Sequence, residues 1–330
     1  MSPLRSVRLV SVLCALGLLL LLPGCTTAPK PFLFREASDF LGVWGTSPTD
    51  VHVVGSVFGS EGHRTGMILH FDGRRWTPTR IVNNAFLTGI WGTAASDHIA
   101  VGFLFDGSGR MLHRKLESGE WNTTTHVSRT ELRGVWGSSP TNVYAVGNSQ
   151  YGSRGTIEHF DGNSWSTQND TLMAFGVWGS SANDVFAVGE NIVHFDGAQW
   201  STQHVNGFLV GVWGTAANDV FAVGSGGRIL HHDGATWTAQ PSGTTATLFN
   251  IWGTSANDVY AVGDAGAILH YDGTRWASMA SNTTNALHGI WGSSSHDIYA
   301  VGYEGTIMHY DGQRWRAVDW KAPADWTKKF

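Results

Sequence analysis

Seven histidines recur at one point of a repeated pattern: His70, His113, His159, His194, His231, His270 and His309. Six aspartates recur at another, Asp50, Asp97, Asp184, Asp219, Asp258 and Asp297, with Asn142 standing in the third copy. Imidazoles can hold a transition metal, and paired carboxylates can cleave a glycosidic bond. The regularity of both columns argues against either use. An ion bound at about 2 Å needs its ligands in one place, whereas a residue carried once per copy is spread over the whole fold. The expectation is structural: each histidine satisfies a buried partner, and each aspartate caps its own turn as an Asx-turn. No metal or cofactor is expected. The sequence contains no nucleophile elbow, Walker loop, H-E-x-x-H or EF-hand pattern.

The elements that carry these columns follow from the repeats. A W-G pair occurs at Trp44, Trp91, Trp136, Trp178, Trp213, Trp252 and Trp291, and a second tryptophan column comprises Trp76, Trp121, Trp165, Trp200, Trp237, Trp276 and Trp315. Fourteen of the 16 tryptophans thus sit in two columns, so the composition reflects architecture. Each copy reads as four short strands, for instance Leu287 to Trp291, Asp297 to Val301, Thr306 to Tyr310 and Trp315 to Val318, divided by Gly, Asn, Asp and Ser turns. The second strand is apolar on both faces, as in Val185-Phe186-Ala187-Val188, and must be covered on both sides. Seven such sheets bury themselves by stacking around an axis. The predicted fold is an all-β, seven-bladed β-propeller of four-stranded blades, spanning 41–318. A linear β-solenoid has shorter rungs and does not need four turns per repeat of about 40 residues.

Composition agrees. With 42% hydrophobic and 12% aromatic residues the chain can fill a core, which excludes a disordered protein. Acidic residues outnumber basic ones 26 to 21 with no basic run, which excludes nucleic acid as a partner.

The turn before the second tryptophan, H-x-D-G-x-x-W, resembles the Asp-box of sialidase and sortilin propellers, one residue tighter between Asp and Trp. Its Asp is expected to accept backbone N–H groups of its own turn. Copy two departs from the pattern: His113-Arg114-Lys115 lacks the Asp, and Glu117-Ser118-Gly119-Glu120-Trp121 makes the turn. The whole repeat, W-G-x-x-x-x-D-V-x-A-V-G followed by G-x-I-L-H-x-D-G-x-x-W, resembles the tandem repeats of exported bacterial propeller lipoproteins. That resemblance implies the fold and hardly constrains activity.

Residues 1–24 read as an export signal. Arg5 and Arg8 precede Leu9 to Leu22, a run apolar apart from Ser11 and too short to span a bilayer core of about 30 Å. Leu22-Pro23-Gly24-Cys25 resembles the lipobox of bacterial lipoproteins, which implies acylation of Cys25 and a lipid-anchored chain in the cell envelope. Thr26 in place of Asp after the cysteine points to the outer membrane in preference to the inner one. Cys14 lies within the signal, so the mature chain would hold one cysteine and no disulfide. Residues 25–40 are a tether, and residues 319–330 a tail.

Function is expected where the copies differ. Copies one, two and three carry longer segments between their second and third strands: Ser56 to Gly66, Phe103 to Arg110 and Asn148 to Gly155. These segments share the face opposite the Asp-box turns and raise one wall on it. Each contains one arginine, Arg64, Arg110 or Arg154, beside Phe58, Phe103, Phe105 and Tyr151, the side chains that bind sugars, carboxylates or proteins. Arg64, Arg110, Arg154, Phe103 and Tyr151 are the candidate ligand-binding residues. The reading is a lipid-anchored binding or scaffold module whose partner is an envelope protein or glycan. The alternative is a glycan-cleaving enzyme using the same face. The acids there, Glu61 and Asp106, fall in different loops, which favours binding.

Overall fold

The computed structural model describes residues 38–58, 64–94, 97–114, 120–124, 126–149 and 154–320. Cys25, Glu61, Tyr151, the turn at Glu117 to Gly119 and the last ten residues lie outside them. The described chain forms seven four-stranded antiparallel sheets, each from four consecutive strands paired in chain order. The blade-7 strands, for example, are Leu287–Ser294, Asp297–Gly302, Thr306–Tyr310 and Trp315–Ala317. The fold is the predicted seven-bladed β-propeller.

The innermost strands are the W-G strands, Ser38–Ser47, Ala85–Ala94, Glu131–Ser139, Ala174–Ser181, Leu209–Ala216, Leu248–Ser255 and Leu287–Ser294. They run past the W-G pair because a bulge there, as between Gly253 and Ser255, lets pairing resume at the turn.

The W-G glycine is required by its neighbour rather than by its own φ. A Cβ built on Gly92 would lie 2.9 Å from Trp44 Cη2, and one on Gly253 2.7 Å from Trp213 Cη2. The same contact joins every successive blade, and Trp291 of blade 7 sits 2.7 Å from the Cβ position of Gly45 in blade 1. Each tryptophan therefore fills the hollow left by the next blade's glycine, and the last contact closes the ring. The second tryptophan column packs the other way: Trp200, Trp237 and Trp276 meet Tyr144, Phe186 and Phe221 of the preceding blade edge-on at 5.9 to 6.2 Å.

Trp320 finishes the seam. Its ring is 4% exposed, lies 5.1 Å from Phe40 and donates Nε1–H to the Gly305 carbonyl at 2.8 Å, while the Gly305 amide donates to the Ser38 carbonyl at 2.6 Å.

The aspartates of the H-x-D-G-x-x-W turns behave as expected. Asp72, Asp161, Asp196, Asp233, Asp272 and Asp311 each accept the backbone N–H groups two and three residues on, at 2.8 to 3.0 Å. Those bonds hold their carboxyls below the usual range; for Asp272 the Thr274 hydroxyl contributes most and the value falls to about 2.

The other column needs a correction. Asp50, Asp184, Asp219, Asp258 and Asp297 do not make Asx-turns; serine hydroxyls such as those of Ser47, Ser181 and Ser255 accept the turn N–H. Each aspartate opens the second strand, where its carboxylate faces the first and third strands instead. One oxygen bonds the column histidine Nε2 at 2.7 to 2.8 Å and the other accepts from a first-strand hydroxyl: Thr46, Ser180, Thr215, Thr254 or Ser293. The carboxylate sits between hydroxyl and imidazole, so the imidazole does not touch the hydroxyl. The order is wrong for nucleophile activation and right for bracing three strands.

Candidate functional site

All seven innermost strands carry a second bulge near their starts, three residues before the W-G tryptophan. The residue before each bulge is fully buried, as Phe40, Leu87 and Leu248 are. The residue after it is glycine in six blades and Asn250 in blade 6, because adjacent strands approach backbone to backbone there: a Cβ on Gly176 would lie 2.6 Å from the Val210 carbonyl. The bulged residue is left to face the axis. Leu41, Thr88, Arg133, Phe175, Val210, Phe249 and His288 therefore ring a central channel of about 490 Å³.

Arg133 is the one formally charged residue among those lining the channel. Burial lowers its pKa, and the Glu131 carboxylate, itself buried, opposes that shift through a close ion pair. Nε also donates to Asn148 Oδ1 at 3.0 Å. His288 stacks on Phe249 and meets Tyr303 at a tilt, each at 4.3 Å, and burial pushes it down to about 4, so it is neutral at neutral pH.

An alternating stack leads from Arg133 outward onto the raised wall. The Arg133 guanidinium lies 4.8 Å over Phe103, Phe103 stacks on Phe86 at 4.9 Å, and Arg64 lies 4.9 Å over Phe86 and 4.0 Å over Phe58. Phe105, 53% exposed, meets Phe86 edge-on. Arg64 is fixed by Asp39 at 2.6 Å and Ser56 Oγ at 3.2 Å.

Of the expected ligand-binding residues, Arg64 and Phe103 thus meet through Phe86. Arg110 begins within the third strand of blade 2, opposite Gly102, with its charge beside Asp106. Arg154 is exposed, and its carbonyl accepts the Ser149 N–H at 2.8 Å. The wall is partly strand rather than loop: in blade 1 the hairpin is lengthened by the pairs Ser56–Gly66, Val57–Thr65 and Phe58–Arg64. Arg133, Phe86, Phe249, His288 and Tyr303 escaped the sequence reading. For Arg133, Phe249 and His288 the signal was present, since the position before the G/N-V/I-W-G core reads Leu, Thr, Arg, Phe, Val, Phe, His down the copies.

Beside the stack, Asp39 is engaged with Arg64, Glu131 with Arg133, and Asp106 with the hydroxyl and N–H of Ser108, while Asp264, on the same face in blade 6, acts on the charge of His288.

No family model and no curated protein matches the chain. Solved structures do. One is YCF48 bound to D1 peptide, with TM-score 0.64 and 16% identity, covering 86% of this chain and 97% of that one. Another is YCF48 from Cyanidioschyzon merolae, at 0.63 and 13%, covering 87% and 98%. The WD40 β-propeller domain of Doa1 gives 0.64 and 12%, covering 83% and 93%. The likeness is one of fold.

Proposed function

We propose that this protein is a lipid-anchored binding or scaffold propeller of the cell envelope that seats an extended segment of a partner polypeptide across the channel mouth, over blades 1 to 3. The observation that carries this reading is the aromatic–arginine stack from Phe58 to Arg133, which ends at a channel lined by Leu41, Phe175, Val210 and Phe249. A rigid, largely apolar mouth with a few fixed polar groups suits an inserted apolar or aromatic side chain flanked by backbone hydrogen bonds. The solved YCF48 complex with a peptide supports the same class of ligand. Glycan cleavage is not favoured, because the acids beside the stack, Asp39, Glu131 and Asp106, are tied to arginines or a serine.

The test is selection of peptides by the acyl-free protein, followed by titration of variants. Arg133→Ala and Phe103→Ala should each weaken a selected peptide by about tenfold or more, as loss of a charge-assisted bond or aromatic anchor does. The Arg64→Ala, Arg110→Ala, Arg154→Ala combination should weaken it further. Unchanged affinity in all of these variants, or failure to select any peptide, refutes the reading. Anchoring through Cys25 is tested separately: Cys25→Ser should release the protein from membranes and abolish fatty-acid labelling.

A further inference from the structure

The seam between blades 1 and 2 departs from the other seams in a way that packing does not explain. The second residue after the Asp column is Tyr144, Phe186, Phe221, Tyr260 or Tyr299 in five blades, and this ring stacks on the column histidine, as Phe186 does on His194 at 4.2 Å. In blade 1 it is His52, 2% exposed and stacked on His70 at 4.4 Å. Facing it from blade 2 is His98, fully buried, where the other copies have Val or Ile; the two rings are 4.4 Å apart. His52 Nδ1 and both ring nitrogens of His98 are buried without a hydrogen-bond partner.

Single nitrogens of Arg80, Trp121, Trp237, His288 and Trp315 are also unmet, but each stands alone in its residue, and a buried carboxylate elsewhere is fully satisfied. Glu158 replaces an aliphatic residue of its column, is 2% exposed, and accepts from Ser128, Thr156 and Thr167 at 2.9 to 3.0 Å and pairs with His126. Leaving three imidazole nitrogens unmet is unusual in a native core. Lone pairs of buried, neutral imidazoles are what a transition metal takes.

We infer that Asp50, His52 and His70 form a binding site for one divalent transition-metal ion of the zinc class, with His98 as the adjacent fourth donor. Asp50 Oδ1 lies 2.8 Å from His70 Nε2 and 3.8 Å from His52 Nδ1, and one ligand atom from each of the three residues falls within 4.8 Å of the other two. Ligands at about 2.0–2.2 Å on a tetrahedral centre are separated by about 3.3 Å, so the observed spacings bracket those required. Arg114 faces the same seam, and its positive charge is offset by Asp50 and Asp97. In blades 4 to 7 the equivalent Asp–His pair has Phe or Tyr in place of the third ligand, so one blade differs from its siblings by acquiring His52. Such an ion would tie the second and third strands of blade 1 to each other and, through His98, to blade 2. The site is remote from the axial mouth and independent of the proposed binding role.

The test uses His52→Phe and His98→Val, which restore the residue types used by sibling blades and so preserve folding. After chelator treatment, the wild-type protein titrated with zinc should bind one equivalent, and cobalt should give the visible absorption of a low-symmetry tetrahedral site. His52→Phe should lose at least about tenfold in zinc affinity and the cobalt bands, since even outer-shell changes cost about 10–100-fold. His98→Val should weaken binding or alter the cobalt spectrum. Wild-type protein that binds no zinc, or binds it as tightly as His52→Phe, overturns the inference.

Discussion

Trp213 and Gly253 show at the level of single residues how the ring is held. Trp213→Ala should cost about 3–5 kcal/mol by opening a cavity between blades 5 and 6. Gly253→Ala pushes a methyl to 2.7 Å from Trp213 Cη2 and should cost about 1–3 kcal/mol by overpacking. The double variant should cost less than the sum, because the methyl enters the vacated space. Relief is partial, since the Asp258 carbonyl also stands 2.6 Å from that methyl. Denaturant midpoints of the four proteins give the coupling; strict additivity would mean that the two residues do not interlock.

His288 makes a second residue-scale prediction, in pH. Its folded value of about 4 lies below its ordinary 6.5, so the unfolded chain binds the extra proton and folding is penalised as pH falls. The loss begins near pH 6.5, grows to at most about 3 kcal/mol, and levels off below about pH 4. His288→Phe, using the residue found at Phe249, should remove this contribution. The stability difference between variant and wild type should therefore widen in the variant's favour from about pH 7 to 4; a constant difference would show that His288 charges freely in the fold.

At the scale of the strand, the sequence was most readable where side chains repeat. Four strands per copy, the turns at Asp72 and its equivalents, and both tryptophan columns could be read because each has a periodic or residue-specific signature. What could not be read is backbone register. A bulge adds a residue without adding a distinctive side chain, so Arg133 and His288 looked like ordinary strand positions until pairing showed that they face the axis. The Asp column was misread for a related reason. Position in a turn suggested capping, but opening the second strand aims Asp258 at His270 and Thr254. His52 and His98 were legible as exceptions in their columns, yet their meeting across a seam depended on knowing which face each presents.

For the whole molecule, closure depends on a residue beyond the last strand. Trp320 lies under Phe40 and bonds Gly305, joining the chain's last described residue to both the first and seventh blades. Trp320→Ala should destabilise the protein by about 3–5 kcal/mol and, in hydrogen exchange, expose the amides of Ser38 to Val43 before those of the blade-5 strands. Uniform loss of protection around the ring would show that the seam is no weaker than any other junction.

The tryptophan-in-glycine contact has a direction. Every blade offers a tooth on one side and a socket on the other, so neighbours meet head to tail, as in a cyclic assembly of identical subunits. Nothing in one such junction records how many others exist. A gene that gains or loses one whole copy therefore still encodes a chain in which every tooth has a socket, and ring size is set by the angle between blades rather than by the residues that join them.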